Sequence, residues 1–346
     1  MKIIFLAHYF HPHIGGVEKH VYQLSQELTK LNHQITIITS HYLPELKSNE
    51  TQQGIQIIRI DLPDNNWIKP NKLQLWAWII KHKSLFQSAD IIHCHDVFFW
   101  YLPLRFLLPH KPVFTTFHGY EGIYPPSKKA IHIRKISEKI SSGNICVGKF
   151  IEKWYGTTAN QITYGATQIP NHLPKPQSQN SALLLGRLDY DNGTHLYLKA
   201  LKILKNKNMD LKIEICGRGP LENQAQKYGN YLGIQTDIST PLARNRYAFV
   251  SSYLSILEAM AHKRLVFSIY DNPLKKDYLI MTPFKKFINI ASTPEELSSQ
   301  LEYYLNHPQV EKNKIDFAFH WVKNQTWQKL AQQYLKLWKD SLNLNS

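Results

Sequence analysis

The sequence predicts an α/β protein built as two doubly wound parallel-sheet domains facing a cleft. Three observations carry that reading. The chain has 346 residues, and at roughly 150 residues per domain this favours two domains. Short β-branched runs alternate with amphipathic stretches of helical period, the pattern of parallel strands joined by crossover helices. The alternation breaks once, at residues 169–181 (IPNHLPKPQSQNS), where Pro, Asn, Gln and Ser displace the apolar periodicity, and then restarts.

Residues 3–6 read as the first strand, 17–31 as a helix with apolar positions at helical spacing, and 35–39 as the second strand. The pattern repeats with a strand at 55–60, a helix at 73–86, a strand at 91–94 and a helix near 98–108. A strand at 113–117, a basic helix near 127–140 and a strand at 145–147 complete the first half. Beyond the break come a strand at 183–185, a helix at about 194–205, a strand at 211–215 and a helix after Pro220. A helix at 253–261 and a strand at 265–269 follow. Residues 325–342 are helical and carry Trp327, Leu330, Tyr334, Leu337 and Trp338, an apolar set expected to pack on the outside and to bridge back to the first domain. The expected boundaries are therefore 1–170 and 182–315 for the two domains, 171–181 for the linker, and 316–346 for the helical end. Ligands of such sheets bind beyond the carboxyl ends of the strands, so the space between the domains is the expected site.

A composition of 43% hydrophobic and 19% charged residues excludes disordered, collagenous and low-complexity classes. Lys and Arg number 41 against 26 Asp and Glu, a net charge of +15, which favours an anionic partner: phosphate on a small molecule, nucleic acid or an acidic membrane face. No helix-turn-helix, zinc-finger or RNP string supports nucleic acid. Cys94, Cys146 and Cys216 lie far apart in apolar runs and read as buried thiols in a reducing compartment. The opening apolar run is too short for a signal-peptide core. The stretch at 97–108 contains Pro103 and Arg105 and is too short to span a bilayer. A cytoplasmic protein is expected, with membrane-surface contact left open. Two basic foci bear on that contact. Lys128, Lys129, Arg134, Lys135 and Lys139 are spaced along one helix, and Lys69, Lys72, Lys81 and Lys83 flank Trp67, Trp76 and Trp78. Interleaved tryptophan and lysine suit an anionic headgroup layer; a solvated basic face over buried tryptophans is the alternative.

Gly15-Gly16 falls between the first strand and the first helix, where exposed amides and the helix N-terminus can meet a phosphate. The absence of G-x-G-x-x-G there argues against a nicotinamide dinucleotide. Arg187 follows a strand of the second domain, and its planar fork suits a diphosphate. His8, His95 and His118 each end a predicted strand. His93 and His95 share a strand face, but no nearby spacing supplies a third metal ligand, so hydrogen-bonded histidines are expected and no metal. Asp189-Tyr190-Asp191 is a D-x-D string expected to face solvent.

Six short strings, in order across nearly the whole chain, resemble family 4 retaining glycosyltransferases. They are Gly15-Gly16-Val17-Glu18, Phe117-His118-Gly119, Ile169-Pro170-Asn171, Gly186-Arg187-Leu188, Gly217-Arg218-Gly219-Pro220 and Leu257-Glu258-Ala259-Met260-Ala261. The resemblance implies the GT-B fold, with Rossmann-like domains on the acceptor and nucleotide-sugar sides. It also implies retaining transfer from a UDP- or GDP-linked sugar to a glycan or lipid-linked acceptor in cell-surface polysaccharide or glycolipid synthesis, with no cofactor and usually no metal. It assigns His118 to the reacting centre, Glu258 to the ribose hydroxyls, and Arg187, Arg218, Gly15, Gly16 and Gly219 to the donor phosphates. His8 and His95 go to the acceptor side. Two positions depart from the family. Its lysine–glycine pair reads Asn192-Gly193, with Arg218 as the candidate substitute cation, and the first glutamate of its E-x(7)-E pair falls on Val250. The alternative implied by these departures is a catalytically impaired GT-B-like subunit that binds nucleotide, glycan or a partner transferase.

Overall fold

The structure, a computed structural model, describes residues 1–61, 72–173, 176, 178, 180–209 and 211–343. Trp67 and Lys69 of the second basic focus, and part of the expected linker, lie outside the described residues. The chain forms two compact units, Met1–Thr163 with Trp327–Ser346, and Tyr164–Thr326.

Among the described residues the first unit holds an eight-stranded sheet. Its strands are β1 (Lys2–Ala7), β2 (Gln34–Ser40), β3 (Asn49–Gln52), β4 (Ile55–Ile60), β5 (Ile91–His95), β6 (Val113–Phe117), β7 (Gly143–Val147) and β8 (Gln161–Thr163). Their spatial order is β3-β4-β2-β1-β5-β6-β7-β8, parallel throughout except where β3 pairs antiparallel with β4. The connecting helices are α1 (Gly16–Lys30), α2 (Lys72–Lys81), α3 (Lys83–Ser88), α4 (Phe98–Leu107), α5 (Lys128–Ile140) and α6 (Phe150–Tyr155). Every residue from Ile3 to Ala7 is buried, as a strand covered on both faces requires. Phe5 stands in register with Ile37 on one side and His93 on the other. The chain leaves β1 toward β2 and later returns to place β5 on the opposite side, so the carboxyl ends of β1 and β5 bound the topological switch point.

The second unit, among its described residues, holds six parallel strands. These are β9 (Ser181–Leu185), β10 (Lys212–Cys216), β11 (Asn230–Gly233), β12 (Tyr247–Phe249), β13 (Leu265–Ile269) and β14 (Asn289–Ala291), in the order β11-β10-β9-β12-β13-β14. Its switch point lies between β9 and β12. The helices are α7 (Thr194–Asn206), α8 (Glu222–Ala225), α9 (Ser239–Arg244), α10 (Tyr253–Ala261), α11 (Pro273–Ile280), α12 (Pro294–Asn306) and α13 (Pro308–Val322). One core of buried apolar residues, including Leu184, Tyr197, Phe249, Phe267 and Leu301, runs between the sheet and α7 and α12. The chain then returns to the first unit as α14 (Trp327–Asn343), whose Tyr334 and Trp338 are fully buried there.

Three expectations are corrected. The helix at 73–86 is two helices: the chain breaks at His82, whose ring stacks on Trp78 at 3.9 Å and bonds the Trp78 carbonyl at 2.8 Å. The first stretch of the first unit ends at Thr163, not residue 170. Thr167 is already buried in the second unit, where its amide donates to the Gln325 carbonyl at 2.8 Å. The expected end segment, 316–346, divides between the units, because α13 belongs to the second and α14 to the first.

Candidate functional site

In the second unit the loops that leave β9 and β10 lie backbone against backbone. The Gly186 amide donates to the Cys216 carbonyl and the Leu188 amide to the Arg218 carbonyl, both at 3.0 Å. A Cβ on Gly217 would sit 1.8 Å from the Gly186 carbonyl oxygen, and one on Gly219 would sit 2.4 Å from that of Leu188. Both glycines also have φ values rarely adopted by other residues, +144° and +159°. The close approach they permit is therefore to protein backbone.

That packing presents Arg187 just past the carboxyl end of β9, at the switch point. Its guanidinium bonds Asp191 Oδ2 at 2.9 Å and lies 3.3 Å from Asp189 Oδ2, while 68% of the side chain remains exposed. Asp189 and Asp191 are only 19% and 18% exposed. Contrary to the expectation that the D-x-D string faces solvent, its two acids are half-buried and steer the arginine, and only Tyr190 between them is exposed. Asn192 organises the same loop: its side-chain amide donates to the Arg187 carbonyl at 3.1 Å and its backbone amide to Asp189 Oδ1 at 2.8 Å. Arg218 is 72% exposed and lies 4.0 Å from Glu222.

A cation that sequence reasoning missed arrives from α11. Lys275 Nζ lies 3.5 Å from Asp191 Oδ2, the oxygen that Arg187 also holds, and the lysine side chain is only 6% exposed. Burial pulls its pKa down and Asp191 pushes it back up. The sequence signal was faint, one lysine among many, 84 residues beyond Asp191 in the chain.

Three residues separate β12 from α10, so Val250 sits buried at the sheet end with no loop in which a carboxylate could stand. The first amide of α10, that of Tyr253, donates to the Tyr278 hydroxyl at 3.0 Å, and the two rings stack at 3.9 Å. Glu258 lies in the middle of α10 and is 8% exposed.

In the first unit Gly15 caps α1 in an extended conformation, and the position a Cβ would take on Gly16 is open. A Cβ on Gly15 would instead meet the Glu18 carboxylate, which also pairs with His13 Nδ1 at 2.8 Å. An acidic side chain in the first turn is favoured by the helix dipole, so this turn already carries a negative charge. His8 lies beside this group; burial lowers its pKa while Glu18 opposes the shift.

His118 follows β6 and bonds His95 Nδ1 through its Nε2 at 2.8 Å, while its backbone amide donates to Asp96 Oδ1 at 3.0 Å. Burial holds both histidines well below the usual imidazole range. Behind them a buried chain of hydrogen bonds links α1, β5, β6 and α14. His20 Nε2 meets the Tyr334 hydroxyl at 2.9 Å, Tyr334 meets Thr116 at 2.9 Å, and Thr116 meets His93 Nε2 at 2.7 Å. Trp338 donates to His93 Nδ1 at 3.1 Å. The structure thus brings His95 and His118 together, and places His8 at the end of β1.

Arg134 is a correction. Rather than extending the basic face of α5 it is buried, donating to the Gly119 carbonyl at 2.7 Å and to Glu121 at 3.0 Å, with its guanidinium 3.9 Å from the Tyr155 ring. It fixes the backbone immediately after His118. Lys128, Lys129, Lys135 and Lys139 do line the exposed side of α5, together with exposed Ile133 and Ile136. Trp76 and Trp78 pack inward against the core, and Trp76 Nε1 donates to the Phe99 carbonyl at 2.9 Å. Among the described residues, no group of three or more His, Cys, Asp or Glu side chains could share a metal ion. No helix there is long and apolar enough to cross a membrane. All three cysteines are buried free thiols.

Residues 14–160 match Glycosyltransferase Family 4, and residues 166–321 match Glycosyl transferases group 1. The chain is 36% identical over 96 residues to the phosphatidylinositol N-acetylglucosaminyltransferase GPI3 subunit of Saccharomyces cerevisiae. That match takes in 27% of this chain and 21% of the yeast protein, so it spans about a fifth of that relative's length. The fold is shared with sucrose-phosphate synthase from Thermosynechococcus elongatus, at a TM-score of 0.79 and 14% identity over 100% of both chains. It is also shared with Anabaena HepE in complex with UDP and glucose, at a TM-score of 0.74 and 14% identity over 97% of this chain and 98% of that one.

Proposed function

Because the chain belongs to the group 1 glycosyltransferases of the family 4 type and carries their GT-B fold, we propose that it moves a sugar, with retention of anomeric configuration, from a UDP- or GDP-linked donor to a glycan or lipid-linked acceptor. The observation that carries this reading is Arg187: a guanidinium at the switch point of the second unit, aimed by two carboxylates of its own loop. In the reaction the anomeric carbon's bond to the donor phosphate oxygen breaks and its bond to the acceptor hydroxyl oxygen forms on the same face. The hydroxyl proton passes to the departing phosphate, and negative charge develops on the nucleoside diphosphate as it leaves. A preset guanidinium stabilises that charge at the moment it develops, without reorganisation. Glu258 accepts from the ribose hydroxyls. His118, half-buried, backed by His95 and held below the usual imidazole range by desolvation, donates or accepts a hydrogen bond at the reacting sugar without adding charge. Protein cations, not a metal, take the diphosphate in this reading.

Two likenesses support the choice of substrates. HepE is complexed with UDP and glucose, and the yeast relative is named for a phosphatidylinositol acceptor. A lipid-linked acceptor fits a chain whose α5 shows lysines and isoleucines to solvent, suited to the inner face of an anionic membrane. The test is transfer and donor hydrolysis over a panel of UDP- and GDP-sugars. Turnover of at least one donor is expected, falling by 10²-fold or more in Arg187→Ala. Nucleotide binding with no turnover of any donor would favour the impaired-subunit reading. Activity unchanged in both Arg187→Ala and Glu258→Ala would defeat the residue assignments.

A further inference from the structure

We propose that Lys275 is the second cation of the diphosphate clamp, supplied from α11 rather than from the loop that carries Arg187. The inference rests on the donor reading above and names a residue outside every motif the sequence displays. A diphosphate presents oxygens on two phosphorus atoms and more than one negative charge, which a single fork cannot neutralise. Lys275 and Arg187 converge on the same carboxylate oxygen, Asp191 Oδ2, at 3.5 and 2.9 Å. Two cations brought to one oxygen by different elements can meet neighbouring oxygens of one diphosphate.

Local preferences oppose a lysine at this position. The helix starts at Pro273 behind its cap, Asn272, whose side chain accepts the Lys275 amide at 2.9 Å. Lys275 therefore stands in the first turn, at the positive end of the helix dipole, and its side chain is 94% removed from solvent. A buried ammonium and a cation at a helix N-terminus are both unfavourable, and departures of this kind are expected at functional sites. Asp191 then serves as a placeholder: it favours the charged lysine and aims both cations until phosphate oxygens take over their donors. Asn192 cannot supply the cation, since a carboxamide carries no charge; its side chain bonds the Arg187 carbonyl instead.

Calorimetry on the full chain with UDP, UMP, GDP and GMP tests this, comparing the parent with Lys275→Met, Lys275→Arg and Lys275→Met combined with Asn192→Lys. Lys275→Met should weaken nucleoside diphosphate binding by tenfold or more while leaving monophosphate binding within about threefold. Lys275→Arg should retain most of the diphosphate preference, and the double variant should recover part of it. Thermal melts separate folding from binding. A Lys275→Met protein that melts lower but binds UDP and GDP within twofold of the parent would make the lysine purely structural and overturn the assignment, leaving the donor reading intact. A parent that binds none of the four nucleotides and turns over no donor would overturn the donor reading and this inference with it.

Discussion

Lowering the pH from 7.5 to 5.5 should destabilise the first unit by about 4 kcal/mol. His20, His93 and His95 are 2%, 0% and 1% exposed, and burial holds each below the usual imidazole range, His20 at about 3. In the unfolded chain each titrates near 6.5, so below that pH the unfolded state binds protons that the folded state refuses. Stability is therefore unaffected above pH 6.5 and falls as the pH drops, for His20 down to about 3. One unit below 6.5 the loss is about 1.4 kcal/mol per histidine, or about 4 kcal/mol for three, a large part of the roughly 5–15 kcal/mol that holds a typical domain together. The groups packed around them are Tyr334, Thr116 and Trp338, which do not charge in this range, and His118, which is partly exposed and works in the same direction. Asp96 works in the opposite direction, but its exposure discounts the compensation. Urea unfolding at both pH values, followed by tryptophan fluorescence and far-UV circular dichroism, measures the difference. A free energy of unfolding equal within 1 kcal/mol at pH 7.5 and 5.5 would refute the reasoning, since it would mean that these imidazoles are charged in the fold or open to water.

Arg134→Met removes the donor to the Gly119 carbonyl and should lower stability by about 1–3 kcal/mol, read as a fall in melting temperature. Because that carbonyl adjoins His118, transfer should fall by more than the lost folded fraction accounts for, and Arg134→Lys should restore it only weakly, since the two bonds leave from separate arms of one fork. Flotation should show the chain bound to vesicles containing anionic lipid and absent from zwitterionic ones, with binding weakened in Lys128→Glu/Lys129→Glu; binding indifferent to lipid charge would remove the membrane proposal.

The long elements were legible in the sequence because their patterns are long. The run from Ile3 to Leu6 and the helical stripe of α1 each leave a signature that tertiary context need not supply. The three- and four-residue strands β3, β8, β11, β12 and β14 were not legible: their registers are set by the neighbour they pair with, and few residues carry a period. In the candidate site, Arg187 and His118 were visible because short motifs frame them. Arg134 was misread because one buried arginine among exposed lysines on α5 has no mark in composition; only the Gly119 carbonyl and the Tyr155 ring distinguish it. The acids of the D-x-D string were misjudged for a similar reason. Whether such a loop faces water depends on where its cation points, and the backbone packing of Gly217 and Gly219 decides that.

Residue 20 and residue 334 share a hydrogen bond, so the first unit is assembled from both ends of the chain, whereas the second is one continuous stretch, Tyr164–Thr326. A ribosome delivers these pieces in the wrong order for the unit that starts first. Residues 1–163 emerge with one helix missing and wait through the synthesis of an entire neighbour before Tyr334 and Trp338 arrive to cover His20 and His93. The neighbour, by contrast, has all of its own residues in hand once Thr326 is made. A single proteolytic cut between Thr163 and Tyr164 would not release the first as a finished body, because α14 would stay joined to the second unit.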